Sequence, residues 1–225
     1  MMRHTALGRI SAVTIIAALS IAAINNWNIN VVQTDRAMVV GKDDAPVTLT
    51  EFVSYTCPHC ATFEKDSEAV LQLAYVGPGN LKRDVRSIIR NPVDLAVTML
   101  AQCGDSSKFV QNHTMFMARQ PVWLEKGRNS TAAQRAMWSR GDAASRRLMA
   151  SALGFYEMME MRGYSRIEVD SCLNDDTRVP VLLANTEADF AEFGISGTPS
   201  FAIDGAALEG VHSWQALGPL LEAKY

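Results

Sequence analysis

A chain of 225 residues, 48% hydrophobic and 20% charged, has the composition of an ordinary globular protein and is long enough to bury one good core with an inserted subdomain. A formal net charge of -3 provides no basic field of the kind that nucleic-acid binding requires. The local cluster Lys82, Arg83, Arg86 and Arg90 has strand-like spacing and reads as a solvated face.

In chain order, Arg3, His4 and Arg9 precede an uncharged run over 10–24, ISAVTIIAALSIAAI, which is followed by polar Asn25, Asn26 and Asn28. Such a run makes roughly 22 Å of helix, short of the ~30 Å hydrocarbon core of a bilayer. That length favours a cleaved secretory signal over an uncleaved membrane anchor or a buried helix, and the small pairs Ala18/Ser20 or Ser20/Ala22 suit a cleavage site. A signal or an anchor over 1–24 sends the body to an extracytoplasmic, oxidising compartment, the periplasm of a bacterium, where disulfides persist.

Residues 25–36 read as a polar linker, and 37–41 (AMVVG) as a short strand. Residues 47–54 (VTLTEFVS) are β-branched and aromatic, the pattern of a strand buried on both faces, in which Glu51 does not fit. From Cys57 the period changes to a helical one that runs to Tyr75 and breaks at Gly77, Pro78 and Gly79. Residues 81–90 form a second strand candidate. Helical patterns follow over 93–103, 106–118, 132–139, 143–162 and 165–172, separated by Pro121, Gly127, Gly141 and Gly163. A stretch from about 92 to 174 with helices and no strand signal reads as a helical insertion into an α/β core. A long helix over 179–193 leads to two short strands, 201–203 and 206–208, around an Asp204-Gly205 hairpin turn. A last helix runs over 213–223, with Ser213 as its cap.

The chemistry concentrates in FVSYTCPHCATFEK, residues 52–65, a strand that runs into C-x-x-C at the start of a helix. A cysteine at a helix N-terminus faces unpaired N–H groups and the positive end of the dipole, both of which stabilise a thiolate. Cys57 is therefore the expected nucleophile, and Cys60, one turn further in, the resolving thiol. Pro58 suits an early helical position, where a missing N–H costs nothing. His59, between the two cysteines, can add positive charge or a hydrogen-bond donor. Lowering a thiol from about 8.5 to about 4 would stabilise the reduced form by roughly 4 kcal/mol at pH 7, or about 90 mV, making the disulfide a strong oxidant. Half a zinc site would need two further ligands, and His4, His113 and His212 are scattered. A structural bridge between cysteines three apart closes too small a loop to stabilise much. Thr198-Pro199, directly before a strand, is the second feature, since an X-Pro bond can be cis at modest cost.

EFVSYTCPHC followed about 140 residues later by SGTPSF resembles the DsbA-like thiol:disulfide oxidoreductases of the thioredoxin superfamily, and the resemblance covers 37–225. It implies a thioredoxin fold with an inserted helical subdomain, and a cis peptide at Thr198-Pro199 close to the Cys57 sulfur. It also implies an extended client segment pairing with the backbone before that proline. Glu51, six residues before Cys57, matches the acidic residue beneath the active site that assists proton movement to the buried thiol; unpaired in an apolar strand, it would have a raised pKa. CPHC is typical of the oxidising type, whereas Thr at position 198 is also common in reducing and isomerising relatives. The short distance from the apolar run to the first strand leaves no room for an N-terminal dimerisation domain and argues for a monomeric oxidase.

Cys103 and Cys172 lie in the helical subdomain, and in an oxidising compartment a structural disulfide between them is expected, worth roughly 4 kcal/mol in the chain-entropy model, with two separately buried free cysteines or a regulatory pair that tunes the active site as the alternatives. The methionines around 149–161 suit either an adaptable surface for unfolded clients or ordinary helix packing. The function expected is an extracytoplasmic enzyme that introduces disulfides into reduced exported proteins, without a metal or other cofactor, and is reset by a membrane redox partner. A reductase or isomerase, and a periplasmic copper carrier that uses the thiols, are the alternatives.

Overall fold

The computed structural model describes residues 26–225, so the leader expected over 1–24 lies outside the described residues. Six strands form one sheet in the order β1-β2-β4-β3-β5-β6: β1 (Val31–Gln33), β2 (Met38–Val40), β3 (Val47–Val53), β4 (Leu81–Ser87), β5 (Ser200–Ile203) and β6 (Ala206–Ala207). β3 lies parallel to β4, with Glu51 opposite Val85, and antiparallel to β5, with Glu51 opposite Phe201. The helix between β3 and β4 supplies the crossover that a parallel pair requires. The mixed sheet with helices on both faces is a thioredoxin fold.

Strand period sorts side chains between the faces. Leu49, Val53, Val85, Phe201 and Ile203 join the main core beneath α1 (Pro58–Val70) and α10 (Trp214–Glu222), where Phe63 packs on Phe201 at 4.7 Å. On the opposite face Phe52, Ile88 and Ala202 meet Phe193 at the end of α9 (Arg178–Phe193). The helix of α1 continues as a π-helical turn, Leu71–Val76, and stops at Gly77, whose N–H bonds Gln72 O.

Between β4 and α9 run α2 (Pro92–Ala101), α3 (Phe109–Ala118), α4 (Gln120–Arg128), α5 (Ala132–Trp138), α6 (Ala143–Leu153), α7 (Phe155–Met161) and α8 (Arg166–Leu173). Their core centres on Trp123, Phe116 and Phe155, stacked edge-to-face at 5.5–5.6 Å. Met149, Met158 and Met159 are buried in it, so of this methionine group only Met161 is exposed. Cys103 and Cys172 are joined by a disulfide across 69 residues.

Three expectations change. The linker expected over 25–36 is structured over its described part: Trp27–Ile29 make a 3-10 turn, and β1 pairs with β2, Val31 opposite Val40. Arg36 then ties this edge to Asp189 and Glu192 in α9. Strands this short carry no readable period, and it is pairing that makes this one. Pro121 and Gly127 do not separate helices: Pro121 opens α4, because the first turn tolerates proline, and Gly127 lies within its last turn. The helix expected over 143–162 divides at Gly154, whose φ of 83° is left-handed.

Candidate active site

β3 ends at Val53, and the loop 54–57 delivers Cys57 to the N-cap of α1, with extended φ/ψ of -89°/116° and Pro58 in the first helical turn. Both sulfur-bearing residues are buried, Cys57 4% and Cys60 0% exposed, while Pro58 and His59 are exposed. The Thr198-Pro199 peptide is cis, and the Thr198 carbonyl accepts from Cys57 Sγ at 3.0 Å. Two segments 141 residues apart in sequence are thus joined at one sulfur.

The two thiols have opposite electrostatics. A hydrogen bond from Cys60, helped by Thr198 and the backbone N–H groups of Cys60 and His59, outweighs desolvation and brings Cys57 down to about 4. Burial, reinforced by the hydrogen bond and charge of Cys57, pushes Cys60 well above the ordinary thiol value. Cys60 Sγ accepts only a long contact from the Ser54 N–H, at 3.5 Å. One sulfur is set to be a thiolate and leaving group, and the other to hold a proton.

The loop carrying Cys57 is fixed from the helical subdomain, by groups that sequence reasoning did not single out. Asp94, fully buried in the first turn of α2, accepts from Ser54 Oγ at 2.8 Å, from the Thr56 N–H at 2.8 Å and from Thr56 Oγ1 at 3.0 Å. Desolvation raises its carboxyl, and these donors oppose the rise. Gln120 Nε2 donates to Tyr55 O at 2.6 Å and to Cys57 O at 2.8 Å. Tyr55 Oη meets His113 Nδ1 at 2.9 Å. His212 Nδ1 donates to Pro199 O at 2.7 Å from the other side of the site. Local periodicity carries no trace of Gln120, since its partners are backbone carbonyls 63 and 65 residues away. Asp94 follows the helix-start pair Asn91-Pro92, a signal that marks its position but not its partners.

Glu51 is buried on the sheet face beneath α1, but it is not unpaired. Arg83 Nε reaches its Oε1 at 2.6 Å and Nη2 its Oε2 at 3.0 Å. Arg83 is itself buried, so the solvated basic face expected over 82–90 is corrected: Arg83, the odd-numbered member, points inward with Leu81 and Val85. Lys82 and Arg86 take the other face, where Arg86 pairs with Asp84 and Asp189. Three carboxylates, Glu51, Glu64 and Glu68, share Arg83, and His113 Nε2 faces Glu64 at 3.3 Å. Burial leaves the Glu51 carboxyl raised despite Arg83, which its neighbours divide. Desolvation opposes ionisation of both Glu64 and His113, but their mutual attraction exceeds it, lowering Glu64 and raising His113.

A thioredoxin family model matches residues 33–223. The chain is 28% identical over 172 residues to a putative protein-disulfide oxidoreductase of Rickettsia conorii, covering 76% of this chain and 54% of that one. It thus spans about half the length of the curated relatives it matches. Among solved structures, the protein-disulfide isomerase from Novosphingobium aromaticivorans superposes with a TM-score of 0.79 at 41% identity, covering 83% of this chain and 95% of that chain. Wolbachia pipientis alpha-DsbA1 shares the fold with a TM-score of 0.68 at 15% identity, over 88% and 96% of the two chains. With Cys57 and Cys60 at the head of α1 and the family model matched over most of the chain, the chain belongs to the thioredoxin family.

Proposed function

We propose that this protein is an extracytoplasmic thiol:disulfide oxidoreductase that accepts electrons from reduced exported proteins. The observation that carries the reading is the split between a Cys57 held near 4 and a Cys60 pushed up. In the oxidised enzyme a client thiolate attacks Cys57 Sγ, forming a mixed disulfide as the Cys57–Cys60 bond breaks and Cys60 leaves with the electron pair. Cys60 takes up a proton, consistent with its raised pKa. A second client thiolate then attacks the client sulfur, and Cys57 leaves as a thiolate. Two electrons have moved to the protein, and the client carries a new disulfide. Stabilising the thiolate favours the reduced enzyme and so makes its disulfide the stronger oxidant.

In this reading Thr198 and Pro199 offer backbone to an extended client, His59 adds to the positive field at Cys57, and Glu51 exchanges protons with the region of Cys60 beneath α1. A signal or anchor over 1–24 would place the domain in the periplasm, where a membrane redox partner resets it. The reverse direction, reduction or isomerisation of wrongly paired clients, is the second reading. Thr198 and the isomerase name of the 41%-identical relative favour it.

The redox potential of the Cys57/Cys60 pair tests the direction. A value well above the roughly -270 mV of a thioredoxin-type reductant supports oxidation, and a value near it sinks that reading. Stoichiometric copper retained by the purified protein, without turnover on dithiols, would instead make it a metal carrier.

A further inference from the structure

Thr56, the residue before the nucleophile, lies at the edge of a mostly apolar cleft of about 600 Å³ between the start of α2 and helices α4 to α6. Val93, Leu124, Trp138 and Met149 line it, and Arg128 and Arg135 stand among the lining groups. It is on the helical-subdomain side of Cys57, whereas the backbone offered by Thr198 comes from the β5 side. Thr56 is the residue before Cys57, so one wall of the cleft belongs to the loop that carries the nucleophile.

The segment that supplies most of the cleft's wall contrasts in charge with the rest of the chain, although of its basic residues only Arg128 and Arg135 line the cleft. Residues 119–147 hold seven basic side chains, at 119, 126, 128, 135, 140, 146 and 147, against acidic Glu125 and Asp142, in a protein whose formal net charge is -3. Of the seven, Arg146 is buried and paired with Asp176. Arg128 is 63% exposed and bonded to Glu125, itself 57% exposed. Arg135 bonds Ser130 rather than a carboxylate. An apolar hollow beside the nucleophile with cationic groups along it is complementary to an apolar side chain flanked by acidic ones.

We propose that this cleft is a specificity site for client segments in which an apolar or aromatic residue and an acidic residue lie within two positions of the reacting cysteine. The proposal rests on the oxidoreductase reading and adds a substrate class to it. The apolar side chain of the client enters the hollow while its cysteine is at Cys57, and Arg128 and Arg135 take the acidic neighbour. Binding of this kind raises the rate of mixed-disulfide formation and adds side-chain selection to an otherwise main-chain mode of recognition.

The test uses the full oxidised protein and four short peptides of equal length, each with two cysteines and with Phe or Ser paired with Asp or Lys beside the first. Dithiothreitol serves as the substrate without side chains. The Phe/Asp peptide is expected to react about tenfold faster in kcat/KM than Ser/Asp, from partial burial of the ring, and about three- to fivefold faster than Phe/Lys. The double variant R128E/R135E should reverse the Asp-over-Lys preference while leaving oxidation of dithiothreitol unchanged. Equal rates for all four peptides with normal dithiothreitol oxidation would overturn the cleft and leave the oxidoreductase reading standing. A charge preference that survives the double variant would overturn it too. So would binding to phosphatidylglycerol vesicles that the variant abolishes without changing the peptide preferences, which would make the basic face a lipid contact. Failure to oxidise either dithiothreitol or any peptide would remove the oxidoreductase reading itself, and this inference with it.

Discussion

The protein carries two cysteine pairs, and they sit at opposite ends of helices. Cys57 caps the N-terminus of α1, where backbone N–H groups and the positive dipole end support a thiolate. Cys103 follows the C-terminal turn of α2, and Cys172 lies in the last turn of α8, where carbonyls and the negative end of the dipole are nearest. Thiolate stabilisation lowers the cost of opening the first pair, and the second has no such help. Placement on a helix, rather than cysteine itself, separates the pair poised for thiolate chemistry from the pair that staples.

The largest effect that would break this comparison comes from Cys57→Ser. It is expected to abolish oxidation of peptide dithiols while the fold survives, measured by turnover alongside circular dichroism; appreciable turnover would mean that Cys60 can attack on its own. Next, the double variant C103S/C172S should lose up to about 4 kcal/mol of stability in urea, because a loop of 69 residues is released in the unfolded chain. The Cys57/Cys60 potential should stay unchanged, and a shift would show that the second pair tunes the first.

A smaller effect is expected from Gln120→Leu. It leaves the Tyr55 and Cys57 carbonyls without their shared donor, which costs about 1–3 kcal/mol. Its signature is a slower peptide turnover with the pKa of Cys57 moved, read from thiolate absorbance; a loss of stability alone would reduce Gln120 to packing.

The most specific test is in pH. Cys57 is a depressed acid, about 4 against an ordinary 9.0. Its thiolate stabilises the folded dithiol form fully above the unfolded value, partly at pH 7, and not at all once pH falls through about 4. The stability gap between reduced and oxidised protein should therefore narrow from pH 7 to pH 4 in paired urea titrations. A gap independent of pH over that range would show that Cys57 is an ordinary thiol.

The strand-C-x-x-C-helix order was legible because each part has a local cause: β-branched residues for β3, a period change at Cys57, and proline in the first turn. The Asp204-Gly205 turn was equally plain, with both residues at positive φ. Ser213 caps α10 as its position suggests, accepting from the Ala216 N–H. Arg83 was misread because charge spacing says nothing about which face of a strand is covered. Glu51 looked unpaired because its partner is 32 residues away, on the neighbouring strand.

By itself the sequence determined the nature of the reacting groups and their order along α1, since a helix N-terminus and the spacing of two cysteines are properties of a few consecutive residues. Only the tertiary structure decided what surrounds them. It set the Thr198 carbonyl on Cys57, Gln120 and Asp94 on the loop, Arg83 between three carboxylates, and a cleft beside Thr56. These contacts join residues tens to more than a hundred positions apart, and pairing at that range is settled by how sheet and helices pack rather than by any local pattern.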